Sequence, residues 1–164
     1  TIFTIPSHSV GSTTSTMVSN TIGAGKSDEL PGLLKRLSLI SLGAMGVVIL
    51  IVSIFPTAMI HIYTSDPSLI QDTIAPLYVL LSSLPFYAAG TILFSAVSGT
   101  GNTRAALKFE LITLVFYVSY MWFIIVHMGY SVAVAWTTEH VYWLLLSTFS
   151  FIYLRSGKWR DRKI

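Results

Sequence analysis

Hydrophobic residues are concentrated in four long stretches of the chain. They run near residues 37–62, 73–98, 105–128 and 130–154. A helix needs about 20 predominantly apolar residues to cross the roughly 30 Å hydrocarbon core of a bilayer. Because each stretch is long enough, the pattern predicts four apolar membrane helices.

The connections between these stretches are short and rich in turn-forming residues. Residues 64–67 read Thr-Ser-Asp-Pro, residues 98–102 read Ser-Gly-Thr-Gly-Asn, and residues 128–129 read Met-Gly. Gly, Pro, Asn and Asp are the residues at which a chain commonly reverses direction. Such short loops make consecutive helices antiparallel neighbours.

The first 22 residues carry a different pattern, that of an amphipathic helix. A helix over 1–22 separates polar from apolar side chains at the helical period. The polar face holds His8, Ser12, Ser15 and Ser19, and the opposite face holds Phe3, Val10 and Met17. Polar groups inside a membrane must meet protein or a water-filled cavity. We therefore expect a fifth membrane segment that lines a wet space; a flexible linker is the alternative.

The spacing of small residues in this segment supports a competing interpretation of the same face. Gly11, Ser15 and Ser19 follow one another at intervals of four. Small residues at this spacing allow two membrane helices to approach closely. The face is thus expected either to line a cavity or to pack against another helix.

The composition agrees with a membrane protein and excludes a soluble globule. Hydrophobic residues make up 53% of the chain and charged residues 10%, with a mean hydropathy of +0.71. Soluble domains carry about 25% charged residues. The expected fold is an all-α, polytopic membrane helix bundle of five segments over residues 1–155, followed by a basic tail at 156–164.

The basic residues predict how the bundle is oriented. Five of the ten lie in the last ten positions, so they indicate a cytoplasmic anchor and no nucleic-acid partner. The loops at 63–72 and 127–131 contain neither Lys nor Arg. The other basic residues lie in the predicted loops near 23–36 and 100–108, on the same side as the tail: Lys26, Lys35, Arg36, Arg104 and Lys108. The C-terminus is therefore expected in the cytoplasm.

Several classes of chemistry have no sequence support. The chain has no cysteine, which removes disulfides and thiol chemistry, and no metal site or cofactor is expected. Neither glycine-rich stretch follows a strand or contains GxxxxGK[ST], so nucleotide binding is not expected. The chain opens on Thr1 without a signal-peptide pattern, as a fragment of a longer protein would.

Two motifs resemble one family of transporters. Residues 18–25, Val-Ser-Asn-Thr-Ile-Gly-Ala-Gly, resemble the VSNxLGAG stretch at the cytoplasmic end of the eighth helix in the MATE (multidrug and toxic compound extrusion) family. Residues 99–104, Gly-Thr-Gly-Asn-Thr-Arg, are similar to the family's G-x-G-D-T-R between helices ten and eleven. The motif residues Gly23, Gly25, Gly99, Gly101, Asn102 and Arg104 are expected to be structural, since glycine permits positive φ and tight turns.

The resemblance implies a position and a function for the chain. The five segments correspond to helices eight to twelve of a twelve-helix, two-lobe transporter, whose N-terminal lobe is the implied partner. Members of the family export organic cations and drugs by alternating access, in antiport with H⁺ or Na⁺. The implied location is the plasma membrane, the inner membrane in a bacterium.

Buried ionisable residues are the candidates for ion coupling or for lining the substrate cavity. Glu139 lies about nine residues into the last stretch, near mid-membrane at 1.5 Å per residue. Trp136 and Trp143 lie one turn to either side and could shield the carboxyl or bind a cationic drug. A packing role for Glu139 is the alternative.

Other candidates are His8 on the first segment and Glu110, about two turns inside its helix. Each could instead form a hydrogen bond between helices. His140, His127 and His61 are weaker candidates, the last two lying near predicted outer ends.

One position departs from the family. Seventeen residues before the motif arginine, where the Na⁺-coupled branch commonly has an aspartate, this chain has Tyr87. A neutral hydroxyl supplies no such cation site, which favours H⁺ coupling or coupling through the N-terminal lobe. Tyr87 remains a candidate for lining the substrate cavity. Within the same helix, Pro76 and Pro85 predict a kink or flexible joint, related either to the substrate path or to packing.

Three rival functions remain open. A lipid-carrier flippase would share the architecture but needs a more basic cavity, and no Lys or Arg lies deep in the predicted spans. A membrane-embedded enzyme would need a catalytic constellation, whereas Glu139 has no matched acid. A truncated, non-transporting membrane subunit is the third possibility.

Overall fold

Residues 4–160 are described by a computed structural model, in which every regular element is helical. The seven α-helices are α1 (Ile5–Gly23), α2 (Leu30–Ile54), α3 (Pro56–His61), α4 (Pro67–Gly99), α5 (Thr103–Trp122), α6 (Val132–Ala135) and α7 (Thr138–Arg155). A 3₁₀ turn precedes α2 at Ser27–Glu29, and a π-helical turn extends α5 over Phe123–His127. Of the residues predicted above, Phe3 and positions 161–164 lie outside this range.

Three of these helical segments are long and apolar enough to cross a membrane by length and composition. They are Ser27–Ile54, Pro67–Gly99 and Thr103–His127. The prediction of an all-α, polytopic membrane bundle is confirmed. α1 and α7 do not meet the same standard, since α1 is rich in Ser and Thr and α7 starts with polar residues. The count of five crossings therefore stays a prediction.

The fourth apolar stretch is not the single helix that the hydrophobic pattern predicted. It divides into α6 and α7, with a turn at Trp136 and Thr137 between them. The hydroxyls of Thr137 and Thr138 donate to the carbonyls of Val134 and Ala135, three residues back. Side-chain bonds of this kind compete with the regular helical ladder, and the backbone tightens there to bonds three residues apart.

Helix α4 is the centre of the bundle, in contact with α1, α2, α5 and α7. It is capped by Asp66, whose carboxylate accepts hydrogen bonds from the backbone N and the Oγ of Ser68 at 2.9 and 2.7 Å. These bonds lower the pKa of Asp66. The helix then runs through Pro76 and Pro85 without interruption.

Two apolar clusters hold the helices around α4. One lies towards the basic end of the bundle and joins α1, α2 and α4 with Trp159 from the tail. The other joins α2, α3 and the part of α4 up to Ala88 around Met45 and Leu84. Large apolar side chains elsewhere on α2 and α5 are exposed, among them Leu50, Ile54 and Val115. Such faces suit a bilayer, which solvates apolar surface.

Candidate functional site

Glycines on α1 and α4 bring these two helices into close contact. A Cβ added at Gly99 would lie 2.6 Å from the carbonyl oxygen of Ser15, and one at Gly11 would lie 2.5 Å from Cγ2 of Thr91. Ser19 Oγ donates to the carbonyl of Gly99 at 2.8 Å. Ser15 and Ser19 therefore belong to the packed side of α1, as the small-residue interpretation predicted, and line neither of the cavities described below.

A third glycine has the same role between α4 and α7. A Cβ at Gly90 would lie 2.9 Å from Cε3 of Trp143 and 2.7 Å from Oγ of Ser147. The absence of a side chain at Gly90 lets the Trp143 ring lie against α4. Trp143 in turn separates two polar cavities.

The first of these, the His8 cavity, lies between α1, α4, α5 and α7 and has a volume of about 330 Å³. Polar side chains contributed by all four helices reach it. Its lining is His8, Ser12, Tyr87, Thr91, Phe94, Ser95, Glu110, Tyr142, Trp143 and Leu146. It is a pocket of mixed character, with one carboxylate, one imidazole and several hydroxyl groups.

The second, the Glu139 cavity, has a volume of about 300 Å³ and lies next to the first. Its lining is Thr4, Leu80, Ser83, Leu84, Tyr87, Trp136, Glu139 and Trp143. Tyr87 and Trp143 border both cavities. Their rings meet edge to face with centroids 4.6 Å apart, so this aromatic pair is the wall between the two spaces.

Glu139 occupies the first turn of α7 and not the interior of a continuous helix. A carboxylate is electrostatically favoured there by the helix dipole. Oε2 accepts a hydrogen bond from Trp143 Nε1 at 3.2 Å. Glu139 lines the same cavity as Ser83, the midpoint of α4.

Glu110 reaches the same neighbourhood from α5. It lines the His8 cavity, and both Glu110 and Glu139 interact electrostatically with the hydroxyl of Tyr142. Tyr142 packs edge to face on Trp143 at 5.0 Å and on Tyr117 at 5.8 Å. Two carboxylates thus lie on either side of a continuous group of aromatic rings.

Thr91 contributes an unsatisfied polar atom to the His8 cavity. The residue is 8% exposed, and its Oγ1 has no hydrogen-bond partner. Buried hydroxyls are normally paired, and an unpaired one costs free energy. An occupant of the cavity that accepts or donates a hydrogen bond would satisfy it.

The two cavities bring together seven of the nine residues proposed from sequence: His8, Ser12, Tyr87, Glu110, Trp136, Glu139 and Trp143. Pattern reasoning missed Thr91, Ser95 and Tyr142. The first two continue a stripe from Tyr87 at intervals of four along α4. This spacing of polar residues is the sequence pattern from which both could have been predicted.

The remaining histidines lie outside these cavities. His140 Nε2 and Ser82 Oγ are hydrogen-bonded at 3.0 Å, and the ring lies 5.7 Å from that of Phe86. His127 stacks on Phe123 in the π-helical turn at 5.3 Å. His61 is exposed at the end of α3. Within residues 4–160 no group of three or more His, Asp or Glu side chains is arranged to hold a metal ion.

The glycine motifs end helices in two different ways. Gly25 and Gly101 have φ of 73° and 75°, the left-handed conformation expected of them. Gly99 packs closely against Ser15, and Gly23 has open space around its Cα.

Asn102, the next motif residue, caps α5. Its side-chain oxygen accepts a hydrogen bond from the N–H of Ala105 at 3.2 Å, while its Nδ2 donates to the Tyr153 hydroxyl at 2.9 Å. Arg104 is exposed.

Known proteins that are similar to this chain indicate its family. The family model MatE matches residues 1–123. The "Probable multidrug resistance protein NorM" of Thermotoga maritima is 25% identical over 166 residues, which covers 98% of this chain and 35% of the relative. The chain thus spans about a third of that relative's length. No solved structure matches the chain. On the extent of the family match, the chain belongs to the MatE family.

Proposed function

We propose that this chain is part of a secondary active transporter that exports organic cations by antiport with H⁺ or Na⁺ through alternating access. The observation that carries the proposal is the pair of adjoining cavities with a carboxylate in each and an aromatic wall between them. The name of the NorM relative, a probable multidrug resistance protein, supports the drug class.

The chemistry of the cavities favours a cationic substrate. Carboxylates attract positive charge, and aromatic faces such as those of Trp143 and Tyr87 bind desolvated cations through their π electrons. Neither cavity is lined by a Lys or Arg among the residues that the structure describes. A phosphate-bearing lipid carrier would need such residues, so drug export is preferred to the flippase function.

Ion coupling is assigned to the same carboxylates. Glu139 and Glu110 are the acids that line the cavities, and Tyr87 stands where the Na⁺-coupled relatives carry an acid. Antiport requires that the ion and the substrate weaken each other's binding, and competition for a shared negative charge has that effect. A carboxylate that alternates between H⁺ or Na⁺ and the organic cation meets that requirement. His8 supplies a second titratable group in the His8 cavity.

The proposal also includes the orientation of the chain in the membrane and its partner lobe. The basic residues near 26–36, 104–108 and 155–163 support a cytoplasmic C-terminus in a protein of the plasma membrane. A partner lobe supplied by the rest of the transporter would close the cavities on the side where His8, Ser12 and Glu110 are exposed.

The test is accumulation of a fluorescent organic cation by cells that lack their own exporters. Cells expressing the full-length protein are expected to retain less ethidium than cells carrying an empty vector. Collapse of the proton gradient, or replacement of external Na⁺, identifies the coupling ion by restoring accumulation. Equal accumulation with and without the protein, at verified membrane expression, would contradict the proposal.

A further inference from the structure

A groove separate from the two cavities lies at the basic end of the bundle. It has a volume of about 540 Å³, larger than either the His8 or the Glu139 cavity. Residues from α2, α4, α7 and the tail line it: Leu30, Pro31, Leu34, Lys35, Ser38, Leu93, Phe151, Leu154, Arg155, Trp159 and Arg160. None of these residues lines the candidate functional site.

The tail shapes one end of this groove by folding back onto the helices. Trp159 is 3% exposed and packs in the apolar cluster of α1, α2 and α4. Its Nε1 donates to the carbonyl of Leu154 at 2.8 Å. The buried tryptophan thus anchors residues 156–160 of the basic tail to the helices.

The groove has two chemically distinct regions. Its floor and sides are apolar, with Leu34, Leu93 and Phe151 contributed by three different helices. Its rim carries Lys35 and Arg155, which are exposed and form no ion pair with any residue in the 4–160 range. Arg160, also on the rim, is paired with Asp28 at 3.4 Å and lies over the Trp159 ring.

We propose that this groove binds an anionic phospholipid, with the headgroup phosphate at Lys35 and Arg155 and one acyl chain along Leu34, Leu93 and Phe151. Charge complementarity selects the headgroup, and the apolar floor selects a molecule with a hydrocarbon chain. Basic pockets between membrane helices on the cytoplasmic side are suited to anionic lipid headgroups. The distribution of Lys and Arg predicts that this end of the bundle is the cytoplasmic one.

The test is native mass spectrometry of the full-length protein in detergent, with phosphatidylglycerol and phosphatidylcholine as probes. The wild-type protein is expected to retain phosphatidylglycerol in preference to phosphatidylcholine. The double substitution Lys35→Gln with Arg155→Gln should weaken phosphatidylglycerol binding roughly tenfold or more. The matched control is Arg104→Gln with Lys108→Gln, which removes the same charge from the same end of the bundle but outside the groove, and binding should not change.

A second variant examines the apolar part without altering charge. Ser38→Trp places a large ring in the groove and should also displace phosphatidylglycerol. Equal binding of both lipids, equal losses in the two double variants, or displacement of the lipid by millimolar inorganic phosphate would each overturn the proposal. So would a wild-type protein that binds neither lipid because another part of the longer chain covers the groove. The result of this lipid-binding test does not depend on whether the protein transports organic cations, since the groove shares no residue with the cavities.

Discussion

Glu139→Gln is expected to abolish most of the organic-cation-driven ion flux of the full-length protein while leaving its folding and membrane expression intact. An amide neither binds a proton at working pH nor attracts a cation as a carboxylate does. Hydrogen bonds to charged groups contribute about 1.5–3 kcal/mol. Since about 1.4 kcal/mol corresponds to a factor of ten, the ion flux should fall roughly ten- to hundredfold. The amide oxygen can still accept the bond from Trp143 Nε1, so packing should survive.

The measurement for this variant is ion flux in proteoliposomes after addition of tetraphenylphosphonium, followed across a range of pH. Glu29→Gln is the matched control, because Glu29 is an exposed acid in the turn before α2 that pairs only with Lys26 among the residues described. It should leave flux unchanged. Wild-type flux in Glu139→Gln at every pH would reduce Glu139 to a packing residue, the alternative that the sequence left open.

Gly99→Ala is expected to destabilise the bundle, although alanine is normally the better helix former. The added Cβ would lie 2.6 Å from the Ser15 carbonyl oxygen and 2.9 Å from Cβ of Val18. Both neighbours belong to α1 close to its backbone, so neither can move without shifting the helix. Overpacking of this kind costs about 1–3 kcal/mol. It should also weaken the bond from Ser19 to the Gly99 carbonyl.

Thermal unfolding of the detergent-solubilised protein, followed by tryptophan fluorescence, measures this cost. Gly43→Ala is the control, since a Cβ at Gly43 on α2 meets nothing within 4 Å. Replacing a helical glycine by alanine at such a site gains about 0.5–1 kcal/mol. The two variants should therefore shift the melting temperature in opposite directions. A Gly99→Ala protein as stable as Gly43→Ala would show that α1 and α4 are not in close contact.

The membrane helices were largely predictable because their signal is the length of an apolar run. The predicted stretch at 73–98 falls within α4, and the one at 105–128 falls within α5 and its π-helical extension except for Met128. The other boundaries were less well predicted. The break before α7 carries neither glycine nor proline, and Thr137 and Thr138 produce it through hydroxyl bonds to the backbone. Similarly, Lys35 and Arg36 lie inside α2 and not in a loop, because charged residues are compatible with a helix that extends beyond the apolar run.

The candidate site was predictable to the extent that its residues are chemically unusual in a membrane helix. Glu139, Glu110 and His8 stand out for that reason. Thr91 does not, because a threonine in an apolar helix is unremarkable until its partner helices are known. The position of Ser15 on the helix likewise could not decide whether it faces a cavity or α4, since small polar residues suit either environment. That choice depends on Gly99, some eighty positions away.

The central claim is that α1, α4, α5 and α7 line a water-filled cavity that admits an organic cation. Because this chain has no cysteine, a single one can be introduced at Ser12, which lines the His8 cavity, or at Val115, which is 66% exposed on α5 among apolar neighbours. A charged thiol reagent reacts with the thiolate, which forms only where water reaches. In intact membranes, Ser12→Cys should be labelled and protected by tetraphenylphosphonium, whereas Val115→Cys should stay unlabelled. Equal labelling at the two positions, or labelling of Ser12→Cys that tetraphenylphosphonium does not reduce, would contradict the claim.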